Sequence, residues 1–208
     1  MRRALVIFDF DGTLADSGPW MVRALNDAAP RFGYRTASDA EIEVFRGMDN
    51  RAIMRAIGLP LWKLPFIAHH IRSEAEKAPP PLLFDGVPDA LARLRDAGVR
   101  LAIVSSNSER LIRRALGAQA ELIELYACNA GLFGKAQKFR RVLWLARLTP
   151  KDAIAVGDEA RDIEAARQAG IACAGVEWGY ALPSLLAARG PDMMFASVAD
   201  MAARLSAP

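Results

Sequence analysis

Two cysteines among 208 residues exclude a disulfide framework. Cys128 and Cys173 stand far apart, in no spacing that grips a metal, and read as reduced core thiols of a cytoplasmic protein. No run approaches the roughly 18 apolar residues of a membrane span. The apolar stretch of a signal peptide is missing as well, since only Ala4–Phe8 separate Arg3 from the first acid. Nor is there an excess of one charge. Lys and Arg number 27 against 24 Asp and Glu, a formal charge of +3. That is no electrostatic footprint for nucleic acid. Arg113-Arg114 and Arg140-Arg141 read as solvated helix faces, and the small positive bias has the sign that draws an anionic substrate. The two histidines, His69 and His70, have no acidic partner at ligand spacing. Internal repeats and low-complexity stretches are absent.

What is present is a core. Apolar residues make up 52% of the chain and charged residues 25%, the balance of a folded globular protein. Ala4–Phe8 is a short unbroken apolar run that stops at acids and a glycine, the pattern of a buried parallel strand. The pattern recurs at Arg100–Val104 and Ala153–Val156, and more weakly at Ile171–Val176. Helical spacing fills the gaps: Pro88 to Ala97 before Gly98, then Leu111, Ile112, Ala115 and Leu116, then Phe139, Val142, Leu143 and Ala146, then Ile163 and Ala166. Alternating strands and helices predict an α/β doubly wound parallel sheet. Residues from about 18 to 80 break the rhythm and show no strand. Ser38-Asp39-Ala40-Glu41 has the form of a capping box, Ile53 to Gly58 suggests a second helix, and Pro65 to Lys77 a third. Pro79-Pro80-Pro81 closes the stretch as a stiff connector. The expected organisation is a core of residues 1–17 and 82–208 with an all-helical insertion, 18–81, after the first strand. Hinges fall near Ala15–Pro19 and Pro79–Gly86.

Asp9, Ser105 and Asp158 each follow an apolar strand, and in a doubly wound sheet those ends face one crevice where ligands bind. Asp9, Asp11, Asp158 and Asp162 would repel one another there unless a cation neutralised them. An oxygen-only cluster suits Mg²⁺, which takes one or two carboxylates plus substrate phosphate. Lys135 adds a positive charge beside a phosphate, and Lys138, three residues on, competes for that role. Gly12 and Thr13 turn the backbone so that N–H groups can face an anion. Ser105 offers a hydroxyl, and Ser106 and Asn107 follow it with further donors.

These residues carry a resemblance. Asp9-Phe10-Asp11-Gly12-Thr13-Leu14 with Asp16-Ser17, Val104-Ser105-Ser106-Asn107, Gly134-Lys135 and Gly157-Asp158-Glu159-Ala160-Arg161-Asp162 resemble the four motifs of the haloacid dehalogenase superfamily. Val176-Glu177-Trp178-Gly179-Tyr180 resembles a turn of its phosphoglycolate phosphatase-like branch. The likeness runs from Leu5 to about Asp192. It implies a Rossmann-like core with a helical cap and Mg²⁺-dependent hydrolysis of a small phosphorylated metabolite. Asp9 would be the nucleophile, forming an aspartyl phosphate, and Asp11 the acid and base. The metal would sit on Asp9, the backbone carbonyl of Asp11, and Asp158, with Asp162 supporting it or orienting Lys135. Ser105 and Lys135 would hold the phosphoryl oxygens. Phe45-Arg46-Gly47-Met48 resembles a cap segment facing the site, so Arg46 is expected to grip a substrate anion. Dehalogenases of this superfamily lack the second acid, so Asp11 favours a phosphate ester over a carbon–halogen bond. A phosphomutase acting on a phosphosugar and a non-catalytic phosphate-binding relative are the alternatives.

Overall fold

Strand β1 (Leu5–Phe8) is fully buried, and its side chains alternate between two cores. Val6 and Phe8 point into one, Leu5 and Ile7 into the other. The computed structural model describes residues 3–129 and 134–207. On either side of β1 lie β2 (Arg100–Val104) and β4 (Ala153–Gly157), both parallel to it. β3 (Leu125–Ala127) flanks β2, and β5 (Ala172–Val176) and β6 (Met193–Phe195) extend the sheet beyond β4. The order is β3-β2-β1-β4-β5-β6, with every pair parallel. This is a Rossmann-like doubly wound sheet whose strand order reverses between β1 and β4. Ligands in such sheets bind outside the strand C-termini at that reversal.

Helices cover both faces. α5 (Val87–Asp96), α6 (Glu109–Leu116) and α10 (Val198–Ser206) pack Leu91, Leu94, Ile112, Met201 and Leu205 against the first core. α7 (Lys135–Ala146), α8 (Ala160–Ala169) and α9 (Pro183–Ala188) close the second with Phe139, Val142, Ile163 and Leu186.

Between β1 and α5 the chain is helical: α1 (Gly18–Phe32), α2 (Asp39–Phe45), α3 (Asn50–Ala56) and α4 (Leu64–Lys77). The capping box is present at α2, where Ser38 N–H donates to Glu41 Oε2 at 2.9 Å. These helices have their own core of Ala28, Tyr34, Ile57, Ile67 and Ile71. The segments entering and leaving them run side by side: Asp16 N–H donates to Leu82 O at 2.9 Å and Phe84 N–H to Leu14 O at 3.0 Å. Among the described residues no helix is long and apolar enough to cross a membrane.

Candidate active site

β1 delivers Asp9 to the crevice. Its N–H still bonds Val156 O at 2.8 Å, so the backbone stays in the sheet while the side chain clears it. The carboxylate is buried. Oδ1 accepts from Phe10 N–H at 2.8 Å and Oδ2 meets Lys135 Nζ at 2.8 Å. Burial pushes this carboxyl up to about 7, against the pull of Lys135. Lys135 opens α7, and its Nζ also donates to Asp162 Oδ1 at 2.5 Å. Burial alone would lower this ammonium; Asp162 and Asp9 reverse the effect and hold it above its ordinary range. Lys138 turns away and donates to Cys128 O at 2.8 Å. Lys135 is therefore the lysine at the acids.

Asp158 directly follows β4 and is wholly buried, and the first turn of α8 adds Asp162. Carboxylate oxygens of Asp9, Asp158 and Asp162 lie within 4.8 Å of one another. Burial raises Asp158 well above the usual carboxylate range, and the charges of Glu159, Asp162 and Asp9 add to the effect. Three buried acids facing one lysine lack positive charge, and their all-oxygen donor set fits a hard divalent cation such as Mg²⁺. Asp162 is the least available ligand. One oxygen takes Lys135 and the other accepts Glu159 N–H at 3.1 Å.

The turn after β1 works differently from expectation. Gly12 has φ +70°, and a Cβ there would stand 2.1 Å from Asp158 Oδ2. Gly12 thus makes room for the acid. Its N–H closes the turn on Ala15 O at 2.8 Å, and Thr13 N–H bonds Phe10 O at 3.3 Å, so neither faces outward to an anion. Thr13 is wholly buried, and its hydroxyl donates to Asp158 Oδ1 at 3.1 Å. In this structure Gly12 and Thr13 hold Asp158, and their N–H groups are engaged within the turn.

Asp11 points elsewhere. Ser17 Oγ donates to its Oδ1 at 2.5 Å, and Asn107 Nδ2 reaches both oxygens, at 3.1 and 2.8 Å. Burial raises this carboxyl, while Ser17 and Asn107 oppose the rise. Its side chain lies outside the three-acid cluster, which leaves its backbone carbonyl as the atom that could serve a metal. Tyr180 OH stands 2.8 Å from Ser17 Oγ. Because Ser17 has given its one proton to Asp11, Tyr180 is the donor in that pair. Tyr180 N–H also donates to Asp158 Oδ2 at 3.0 Å, so one residue braces both acids. Ser105 directly follows β2 and is fully buried, and its Oγ accepts from Asn107 N–H at 3.1 Å. Ser106 beside it is half-buried.

A cavity of about 1210 Å³ lies between α1–α3 and the sheet, with Lys135, Arg161, Trp178 and Tyr180 on its core side and Met21 and Phe45 opposite. Arg46 also lines it. Its Nε donates to Tyr180 O at 3.0 Å, and an Nη pairs with Glu43 at 3.1 Å. Arg46 thus ties α2 to the core loop instead of standing ready for an anion.

Residues 6–176 match the model of the family described as haloacid dehalogenase-like hydrolase. The chain belongs to this family. It is a hydrolase of the phosphoglycolate phosphatase-like branch. It is 34% identical over 199 residues to the phosphoglycolate phosphatase of Synechococcus elongatus, covering 94% of each chain. It is 32% identical over 182 residues to the tyrosine-protein kinase PtkA of Mycobacterium tuberculosis, covering 85% of this chain and 62% of that one. The crystal structure of a predicted phosphatase from Clostridium acetobutylicum superposes with a TM-score of 0.83 at 20% identity, over 99% of both chains, a likeness of fold.

Within this hydrolase, sequence reasoning missed three supports: Thr13 and Tyr180 on Asp158, and Ser17 on Asp11. Ser17 and Tyr180 stand inside segments that resemble family motifs, but the contact between them appears only once loops 163 residues apart meet. Trp178 packs beside the first core and donates Nε1–H to Thr13 O at 3.0 Å, which stiffens the same turn.

Proposed function

We propose that this hydrolase is a Mg²⁺-dependent phosphatase that cleaves small phosphate monoesters, of the phosphoglycolate kind, through an aspartyl phosphate. The observation that carries the reading is the division of labour between two acids on one turn. Asp9 sits with Lys135, Asp158 and Asp162, whereas Asp11 is held apart by Ser17 and Asn107. Asp9 attacks phosphorus, and the bond to the alcohol oxygen breaks. Asp11 gives that oxygen its proton and then takes one from the water that hydrolyses the aspartyl phosphate. A carboxyl raised by burial suits a group that must both give and accept a proton near neutrality. Lys135 and Ser105 hold the phosphoryl oxygens.

Asp9, Asp158 and the backbone carbonyl of Asp11 would hold the Mg²⁺, with Asp162 behind them. Bound there, the ion supplies positive charge that offsets the acids and the phosphoryl oxygens. Residues 18–81 form a cap over residues 1–17 and 82–208, and its closure excludes water from the first step. The same reading puts the protein in the cytoplasm. Its support is the pair of free thiols at Cys128 and Cys173.

The test is phosphate release from a panel of monoesters, 2-phosphoglycolate and p-nitrophenyl phosphate among them, with and without Mg²⁺. Mg²⁺-dependent release is expected. No release from any ester, or transfer of the phosphoryl group within a sugar without release, contradicts the reading.

A further inference from the structure

Arg161 is a cation at the site with no part in the chemistry proposed for Asp9, Asp11, Lys135 and Ser105. Arg161 stands in the first turn of α8, one residue before Asp162, and lines the cavity. Its side chain is 28% exposed. Lys135 is already engaged by Asp9 and Asp162, so the phosphoryl group has its own lysine. Among the described residues the one ion partner of Arg161 is Glu159, with Nε 2.7 Å from Oε2 and an Nη 3.2 Å from Oε1. That Nε is fully buried, yet its approach to Glu159 lacks hydrogen-bond geometry. Glu159 is shared, because Asn50 of α3 donates Nδ2–H to the same Oε2 at 2.8 Å.

Arg161 lines the same cavity as Lys135, which is paired with Asp9. An arginine side chain is not deprotonated in proteins, so Arg161 carries its charge. A permanently charged fork therefore faces the cavity between the site acids and the helices above. The carboxylate of Glu159 shows which group that fork accepts. Arginine binds planar carboxylates through two parallel N–H groups, and here part of the fork is imperfectly bonded.

We propose that Arg161 is a specificity-determining residue that binds a carboxylate on the leaving-group side of the substrate. The substrate class is then a small phosphate monoester carrying a carboxylate near the ester oxygen. The inference rests on the phosphatase reading and deepens it. Substrate binding draws Arg161 toward the new carboxylate, and the Glu159–Asn50 bond keeps α3 over the site. The grip expected of Arg46 thus comes from the core, since Arg46 is bound to Glu43 and Tyr180.

The test compares 2-phosphoglycolate with ethyl phosphate, which has a methyl group where the former has its carboxylate. Both are assayed with Mg²⁺ on the full chain, as wild type, Arg161→Met and Arg161→Lys. Wild type should prefer 2-phosphoglycolate in kcat/KM. Arg161→Met should cut that preference on the order of 100-fold, mostly through KM, and Arg161→Lys, which keeps the charge but not the fork, about 10-fold. The ratio between esters is the readout because a merely structural arginine would lower both rates alike. An unchanged ratio in the variants overturns the inference while phosphate release from ethyl phosphate keeps the phosphatase reading. Wild-type protein that hydrolyses neither ester overturns both. If Arg161→Met does not fold, the ratio in Arg161→Lys decides alone.

Discussion

At the scale of single residues, the two aspartates of the first turn differ by what surrounds them. Ser17 and Asn107 hold the Asp11 carboxyl down against a burial effect that pushes it up. Ser17→Ala removes one of these bonds and should raise the Asp11 pKa. The limb of the pH–rate profile that reports Asp11 should then move to higher pH, and a profile that stays in place would disprove the role. The two candidate lysines give an equally sharp contrast. Lys135→Met should lower kcat at least about 100-fold, because among the described residues no other cation pairs with Asp9. Lys138→Met should stay within about 3-fold of wild type, since Lys138 is bound to a backbone carbonyl away from the acids. Steady-state kinetics of the two variants separates these outcomes.

At the scale of elements, the tight packing of the β1 turn on the start of α8 sets the position of Asp158 in the three-acid cluster. Gly12 must lack a Cβ because Asp158 fills that space, and Gly179 presses on the same acid. Gly12→Ala should cost about 1–3 kcal/mol through its positive φ and weaken Mg²⁺ binding at least about tenfold by displacing Asp158. Calorimetric Mg²⁺ titration together with a thermal melt checks both effects. The elements most legible in the sequence were those buried on both faces. β1, β2 and β4 read as unbroken apolar runs because a parallel strand has no wet side. β3 and β6, at the sheet edges and of three residues each, were not visible. α1 was missed as well: proline stands at its start and inside it, and Gly33 ends it. The site was legible where it follows strand ends, as at Asp9, Ser105 and Asp158. It was not legible where a loop returns from elsewhere, as Tyr180 does to Ser17. Thr13 could be placed at the site but not assigned, because its partner Asp158 comes from a strand 145 residues away.

At the scale of the whole molecule, the site carries a stability cost that the metal should offset. The folded-state pKa of Asp9 is raised from 3.8 to about 7, and that of Asp158 is raised too, both chiefly by burial. The folded chain therefore holds protons that the unfolded chain releases. The resulting stability is present in full below the ordinary carboxylate pKa and is lost as pH rises toward and through about 7. Thermal melts in a chelator should show Tm falling between pH 5 and pH 8. Mg²⁺ should raise Tm more at pH 8 than at pH 5, as a ligand of the ionised acids must. A Tm that rises with pH in the chelator would contradict this account. Asp9→Asn bears on both the cost and the chemistry, because it removes the buried charge and the proposed nucleophile with little change of shape. In chelator at pH 8 it should melt no lower than wild type. The most direct measurement is the Mg²⁺-dependent turnover of p-nitrophenyl phosphate by this folded variant beside wild type. A loss of at least about a thousandfold is predicted; turnover near the wild-type rate would show that Asp9 is not the nucleophile.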